Sequence, residues 1–194
     1  MKKENIIEAA VKRFSHFGTH KTTLAEIADD LGISKPSLFY YFPDKQCLVT
    51  AVEEKIIAEY LETLEKRFAA CATVEKALGA MLEVRMQFLE KYFMLADQLE
   101  SSETTISQKP FAGIKSKLKE KEAALLVNLF EGGVQKKELK PMNPVKTGGL
   151  LLETLSALAH CVREKRIVPD HKFFVEVFAK QKDIMQIFYN GLKQ

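Results

Sequence analysis

The sequence predicts an all-α protein that opens with a three-helix helix-turn-helix, and three observations predict it. Apolar residues recur at helical spacing along most of the chain, while strand-like alternation bounded by turn residues is scarce. Helix start and stop signals follow one another closely through the first fifty residues. Farther on, Pro141-Met142-Asn143-Pro144 and Val168-Pro169-Asp170 divide the chain into long helical segments.

In the first segment Ile7, Ala10, Phe14 and Phe17 form one apolar stripe, and Gly18 stands where a helix C′ residue belongs. Thr23 followed by Glu26 reads as a capping box that starts a second helix. Leu24, Ile27, Ala28 and Leu31 line its inner face, and Gly32 ends it. Ser34 caps a third helix, with Pro36 accommodated in the first turn, and Pro43 stops that helix. Asp44 caps a fourth, which runs from Lys45 to about Ala70. The close succession of the second and third helices around Gly32 is the pattern of a helix-turn-helix.

Beyond it, Val74 to about Leu99 reads as one long helix carrying Leu78, Met81, Leu82, Arg85, Phe88, Leu89, Tyr92 and Leu95. Ser101–Pro110 reads as a loop and Lys115 to about Lys137 as a helix. Two strongly apolar helices follow, Val145–Arg166 and Lys172–Leu192. Each is apolar on more than one face, which a surface helix of a monomer does not need. Pairing both with their symmetry mates would form a four-helix interface, with Leu151, Leu155, Leu158, Val162, Val177, Ile184 and Phe188 as the expected dimerisation residues.

Composition limits the function classes. The 194 residues are 46% hydrophobic and 28% charged, as in ordinary globular proteins, and the formal charge of +3 is only mildly basic. Three widely separated cysteines, Cys47, Cys71 and Cys161, imply no disulfide framework and suggest a reducing compartment. The N-terminus has no long apolar stretch of the secretory kind, and the Gly148–Val162 segment is too short to span a bilayer. The expectation is a cytoplasmic protein without membrane contact. His160-Cys161 lacks a companion pair at metal spacing, Gly132-Gly133 lacks the strand that precedes a phosphate loop, and Ser, His and Asp show no catalytic motif. No enzyme activity, cofactor, metal or catalytic residue is therefore expected.

The stretch Ile33–Phe42 carries four consecutive aromatic residues, and helical geometry divides them. Leu38 and Phe42 point inward together. Pro36, Ser37 and Tyr40 point the opposite way, with Phe39 and Tyr41 on the flanks and Lys35 at the helix start. The outer face thus offers hydroxyls, an ammonium and apolar edges that suit phosphates and base edges. Residues 1–50 hold seven Lys or Arg and six Asp or Glu, a net of only +1, so Glu26, Asp29 and Asp30 must be turned away from a duplex.

Residues 7–48 strongly resemble the DNA-binding domain of the tetracycline-repressor (TetR) family. The matching elements are Ala9-Ala10 with Phe14, Gly18, Thr22-Thr23, Ile27-Ala28, Gly32-Ile33-Ser34-Lys35, Leu38, Tyr40, Phe42 and Lys45. The resemblance implies a DNA-binding domain over 1–48 and a helical ligand-binding and dimerisation domain over 49–194, with helix 45–70 bridging the two. It implies phosphate contacts from Thr22, Thr23 and Lys45, major-groove placement of Ser34, Lys35, Pro36, Ser37 and Phe39, and a backbone grip by Tyr40 and Tyr41. Phe39 stands where the family usually has tyrosine, and Tyr41 often corresponds to histidine. The resemblance also implies a pocket among the middle helices. Met81, Arg85, Phe88, Tyr92, Phe93, Met94, Leu99, Phe111, Leu126 and Phe130 are its wall candidates, favouring an apolar or aromatic molecule. Arg85 needs a partner, either a ligand acid or an internal carboxylate such as Glu122 or Glu153.

The expected protein is a dimeric, ligand-responsive regulator of transcription, a repressor released from a pseudopalindromic double-stranded DNA operator by a small effector. Its partners are DNA, a second copy of itself and an unknown small molecule. The alternatives are a constitutive DNA-binding or interaction protein without effector, and a helical enzyme.

Overall fold

The computed structural model describes residues 3–92, 95, 109–163 and 171–194. Among them it contains eight helices and no strand: α1 Lys3–Lys21, α2 Leu24–Asp30, α3 Lys35–Tyr41, α4 Lys45–Ala70, α5 Val74–Lys91, α6 Lys109–Gln135, α7 Pro144–Arg163 and α8 His171–Leu192. The chain divides into two units. One comprises the described residues up to Glu59 and those from Phe88 to Ser116, and the other Tyr60–Gln87 and Lys117–Gln194. Both α4 and α5 contribute residues to each unit.

The boundaries of the first unit follow from local chemistry. Gly18 adopts φ 77°, ψ 160°, a region essentially closed to side-chain-bearing residues, and it kinks α1 before the final turn to Lys21. The buried stripe of α1 is Ile6, Ala10, Phe14 and Gly18. Ile7 is only half-buried and Phe17 is 48% exposed, so the expected stripe is turned by one residue at both ends. At α2 the capping box is complete. Thr23 Oγ1 accepts the Glu26 amide at 3.3 Å, and the Thr23 amide donates to Glu26 Oε2 at 2.7 Å. Gly32, at φ 62°, follows the C-cap Leu31 and supplies the left-handed turn toward α3.

Ser34 Oγ caps α3 by accepting the Ser37 amide at 3.3 Å. Phe42 ends that helix in extended conformation, as the residue before Pro43 must. Asp44 Oδ1 then accepts the Cys47 amide at 2.7 Å and starts α4. Ile6, Ala10, Phe14, Ile27, Ala28, Leu38, Phe42, Leu48, Val49 and Val52 form the core beneath these helices, joined by Tyr92 and Leu95. Each such large side chain contributes on the order of 1.5–3 kcal/mol by leaving water. Helix α3 is therefore mounted on a packed base.

In the second unit α7 packs on α8, with Phe173 and Val177 against Leu158, Ala159 and Phe174. The buried Gln181 amide donates to the Leu155 carbonyl at 2.9 Å. An isolated antiparallel bridge pairs Leu139 with Lys193, backed by Lys140 N–H to Leu192 O at 2.8 Å and Gln194 N–H to Glu138 O at 3.1 Å.

Several helix limits differ from expectation. Helix α5 stops at Lys91 rather than near Leu99, because Tyr92 turns into the core of the first unit and its hydroxyl donates to Glu59 at 2.9 Å. Pro110 lies in the first turn of α6, where a proline fits, and not at the end of a loop. Phe93, Met94 and Leu99 lie outside the described residues.

Candidate nucleic-acid interface

Helix α3 presents a divided surface. Leu38 is fully buried and Phe42 nearly so, while Lys35, Pro36, Ser37, Phe39 and Tyr40 are exposed. Tyr40 is 84% exposed and Phe39 46%. A tyrosine so open to water is not serving the fold of its own chain. Ser34 and Ser37 share a hydroxyl hydrogen bond of 2.8 Å, so the start of α3 carries two exposed, mutually oriented hydroxyls beside the Lys35 ammonium. Tyr41 differs from its neighbour. It is half-buried against the core of the unit and meets the Tyr40 ring edge-on at 5.3 Å, so it positions Tyr40 as much as it offers itself.

The structure corrects one expected contact. The side chain of Thr22 is fully buried and its hydroxyl donates to the Gly18 carbonyl at 2.9 Å, closing the kink of α1. It has no surface to offer a phosphate. Thr23 is exposed, and its hydroxyl donates to Glu26 Oε2 at 2.8 Å. Lys45, at the start of α4, is half-buried. Desolvation lowers its pKa, against the pull of the Glu26 charge.

Acidic residues on α2 are handled by a group that sequence spacing did not single out. Arg13 of α1 makes a two-pronged contact with Asp30, one prong being Nη2 to Oδ1 at 3.0 Å and the other Nε to Oδ2, and its Nη1 lies 3.4 Å from Glu26 Oε1. The Arg13 hydrogen bond holds Asp30 below the usual carboxylate range, and the hydrogen bonds from the Thr23 amide and hydroxyl do the same for Glu26. Arg13 is 13 and 17 residues from its partners, so no helical repeat relates them.

A family model described as bacterial regulatory proteins, tetR family, matches residues 6–52, which span this whole surface. Residues 6–52 form a TetR-type DNA-binding domain. RutR, an HTH-type transcriptional regulator of Escherichia coli (strain K12), is 27% identical over 197 residues, covering 99% of this chain and 91% of RutR. The fatty acid metabolism regulator of Bacillus subtilis is 22% identical over 141 residues, covering 70% and 69% respectively. A transcriptional regulator from Cytophaga hutchinsonii has a crystal structure of TM-score 0.90 at 25% identity, covering 98% of both chains. With this domain the chain is a DNA-binding transcriptional regulator with an all-α fold, and its relatives are transcriptional regulators.

The remaining expected site residues lie in both units. Met81, Leu126 and Phe130 are fully buried in the second unit. Arg85 is tied there to Glu122, through Nη2 to Oε2 at 2.9 Å and Nε to Oε1 at 3.2 Å. The Tyr60 hydroxyl donates to the same carboxylate, and burial pushes its pKa up. The internal carboxylate is thus Glu122, while Glu153 lies 3.6 Å from Lys119. Phe88 and Tyr92 belong to the core of the first unit. The Phe111 side chain lies outside the described residues.

Among the expected dimerisation residues, Leu151, Leu155 and Val177 are buried within their own unit, so they cannot line a surface between copies. Leu158, Ile184 and Phe188 are half-buried, and the Val162 side chain is outside the described residues. Among the described residues the large apolar side chains open to water on α7 and α8 are instead Val145, Leu150, Val175 and Ile187, the last 71% exposed. Among the described residues no group of three or more His, Cys, Asp or Glu is placed to hold a metal, and no helix is long and apolar enough to cross a membrane.

Proposed function

We propose that this regulator acts as a homodimeric repressor, bound to a pseudopalindromic operator and released by a small apolar or aromatic effector. The observation that carries the reading is the outer face of α3, where Lys35, Pro36, Ser37, Phe39 and Tyr40 stand exposed above a core sealed by Leu38 and Phe42. Ser34, Lys35, Pro36, Ser37 and Phe39 lie in the major groove, with the Phe39 ring against apolar base edges. Tyr40, steadied by Tyr41, grips the backbone together with Thr23 and Lys45. Two heads in successive major grooves, about 34 Å apart, read the two half-sites.

The second unit supplies pairing and response. Exposed Leu150, Val175 and Ile187 extend the apolar surface of α7 and α8 and support pairing with a second copy through these helices. The apolar side chains around Met81, Leu126 and Phe130 favour an apolar effector, and the fatty acid metabolism regulator among the relatives supports that class. Release requires the effector to bind the DNA-incompetent conformer more tightly than the competent one.

The test uses a duplex selected by the wild-type protein from a random-sequence library, with binding followed by fluorescence anisotropy. Tyr40→Ala is expected to keep its helical circular dichroism and lose roughly tenfold or more in affinity, about 1.4 kcal/mol. A folded Tyr40→Ala variant with wild-type affinity refutes the proposed grip.

A further inference from the structure

Helix α2 is flanked by residues assigned to DNA: Thr23 immediately before it and Ser34 four residues after Asp30. Four residues of chain span no more than about 14 Å, so the carboxylates of Glu26 and Asp30 lie close to the phosphates those residues would meet. They stand one helical turn apart on α2, where two like charges repel each other as well as the duplex. The unit has little positive charge in reserve, since residues 1–50 net only +1.

Arg13 answers both carboxylates from α1. Its Nε and Nη2 engage the two oxygens of Asp30, and its Nη1 reaches Glu26 Oε1 at 3.4 Å. The other Glu26 oxygen, Oε2, accepts the Thr23 amide and hydroxyl at 2.7 and 2.8 Å. The stem is set by the fold, with the guanidinium carbon 5.7 Å from the centre of the Phe17 ring. Two of the five N–H donors of Arg13 bond Asp30, and a third nitrogen stands within ion-pair distance of Glu26. Both partners are partly exposed, so the arrangement adds little to stability, and its value lies in the field it removes.

We propose that Arg13 is a positioning residue for DNA binding: its one charge, shared between Glu26 and Asp30, halves the negative charge that the face carrying Thr23 and α3 would otherwise bring to the duplex. The inference rests on the DNA-binding reading of α3. Arg13 acts through α2 and does not itself touch a phosphate.

Three variants test it on the selected duplex: Arg13→Gln, Arg13→Gln with Asp30→Asn, and Tyr40→Ala. Arg13→Gln is expected to weaken binding roughly fivefold to tenfold at low salt, and adding Asp30→Asn to restore affinity to within about twofold of wild type. The double variant lacks the charged fork entirely, so a purely structural role for that fork would leave it unrescued. The slope of log affinity against log salt is expected to stay unchanged in Arg13→Gln. A direct phosphate contact would instead reduce it by about 0.9 per contact, twice that in a dimer. Undiminished affinity in Arg13→Gln, failure of Asp30→Asn to rescue, or a reduced salt slope each overturns the proposal. If Tyr40→Ala loses binding in those cases, the reading of α3 stands; if it does not, that reading fails as well.

Discussion

Replacing Glu122 by leucine removes the hub of a buried polar triad in the second unit. Arg85, with 17% of its side chain exposed, loses contacts of 2.9 and 3.2 Å, and the Tyr60 hydroxyl loses its carboxylate acceptor. Taking one partner from a buried ion pair costs about 3–5 kcal/mol, because the remaining charge stays desolvated. In a chain of this size each kcal/mol lowers Tm by roughly 2–4 °C, so Glu122→Leu should melt about 6–20 °C early. The triple change Glu122→Leu, Arg85→Met, Tyr60→Phe replaces all three polar groups by apolar ones of similar volume. It should recover most or all of the loss. Urea unfolding followed by circular dichroism measures both, with an unchanged m-value showing that the native surface is preserved. A Glu122→Leu loss below about 1 kcal/mol, or a triple variant no more stable than the single one, would refute the reasoning.

Two further outcomes follow from geometry already described. Gly18→Ala should cost about 2–3 kcal/mol, since φ 77°, ψ 160° is closed to alanine. Gly32→Ala, at φ 62° with open space around the added carbon, should cost about 1–2 kcal/mol, and Gly32→Asn less. Melting temperatures give the order, and a reversed order contradicts it. Glu26, Asp30 and Asp44 all have pKa values lowered in the folded state, so the stability they add is complete above their unfolded values near 4 and lost as pH falls through the folded ones. Stability should therefore decline below about pH 4, and Asp30→Asn, at a partly exposed pair, should flatten that decline only slightly in an acid titration.

What could be read from the sequence was what neighbours along the chain decide. The Thr23 and Glu26 box, the Gly32 turn, the Ser34 cap with Pro36, and the Pro43-Asp44 stop and start each involve residues within a few positions, and all are present. Leu38 and Phe42 faced inward for the same reason. Residues that depend on distant partners were not legible. The resemblance implied a phosphate contact from Thr22, yet the Gly18 kink takes its hydroxyl inside. Ile6 and Ile7 are equally apolar, and only packing decides that Ile6 is the buried one. On α7 and α8 apolar residues surround both helices, so periodicity could not tell the inner Leu155 and Val177 from the outer Leu150 and Ile187. Helix α5 carries no stop signal after Lys91. It ends because Glu59 holds both Lys91, at 2.7 Å, and Tyr92.

The bridge between Leu139 and Lys193 changes the topology of the second unit. The last turn of a helix ordinarily frays, because its last carbonyls face water and nothing ties them. Here the strand-like pairing fastens the residues after α8 back to the segment before α7, with the Lys140 ammonium adding a contact to Gly191 O at 3.3 Å. Helices α7 and α8 thereby lie within a loop of about 55 residues closed without a covalent bond, its closure entropy offset by backbone hydrogen bonds. Cutting the chain after Leu192 removes Lys193 and Gln194 and unfastens the ring at its base.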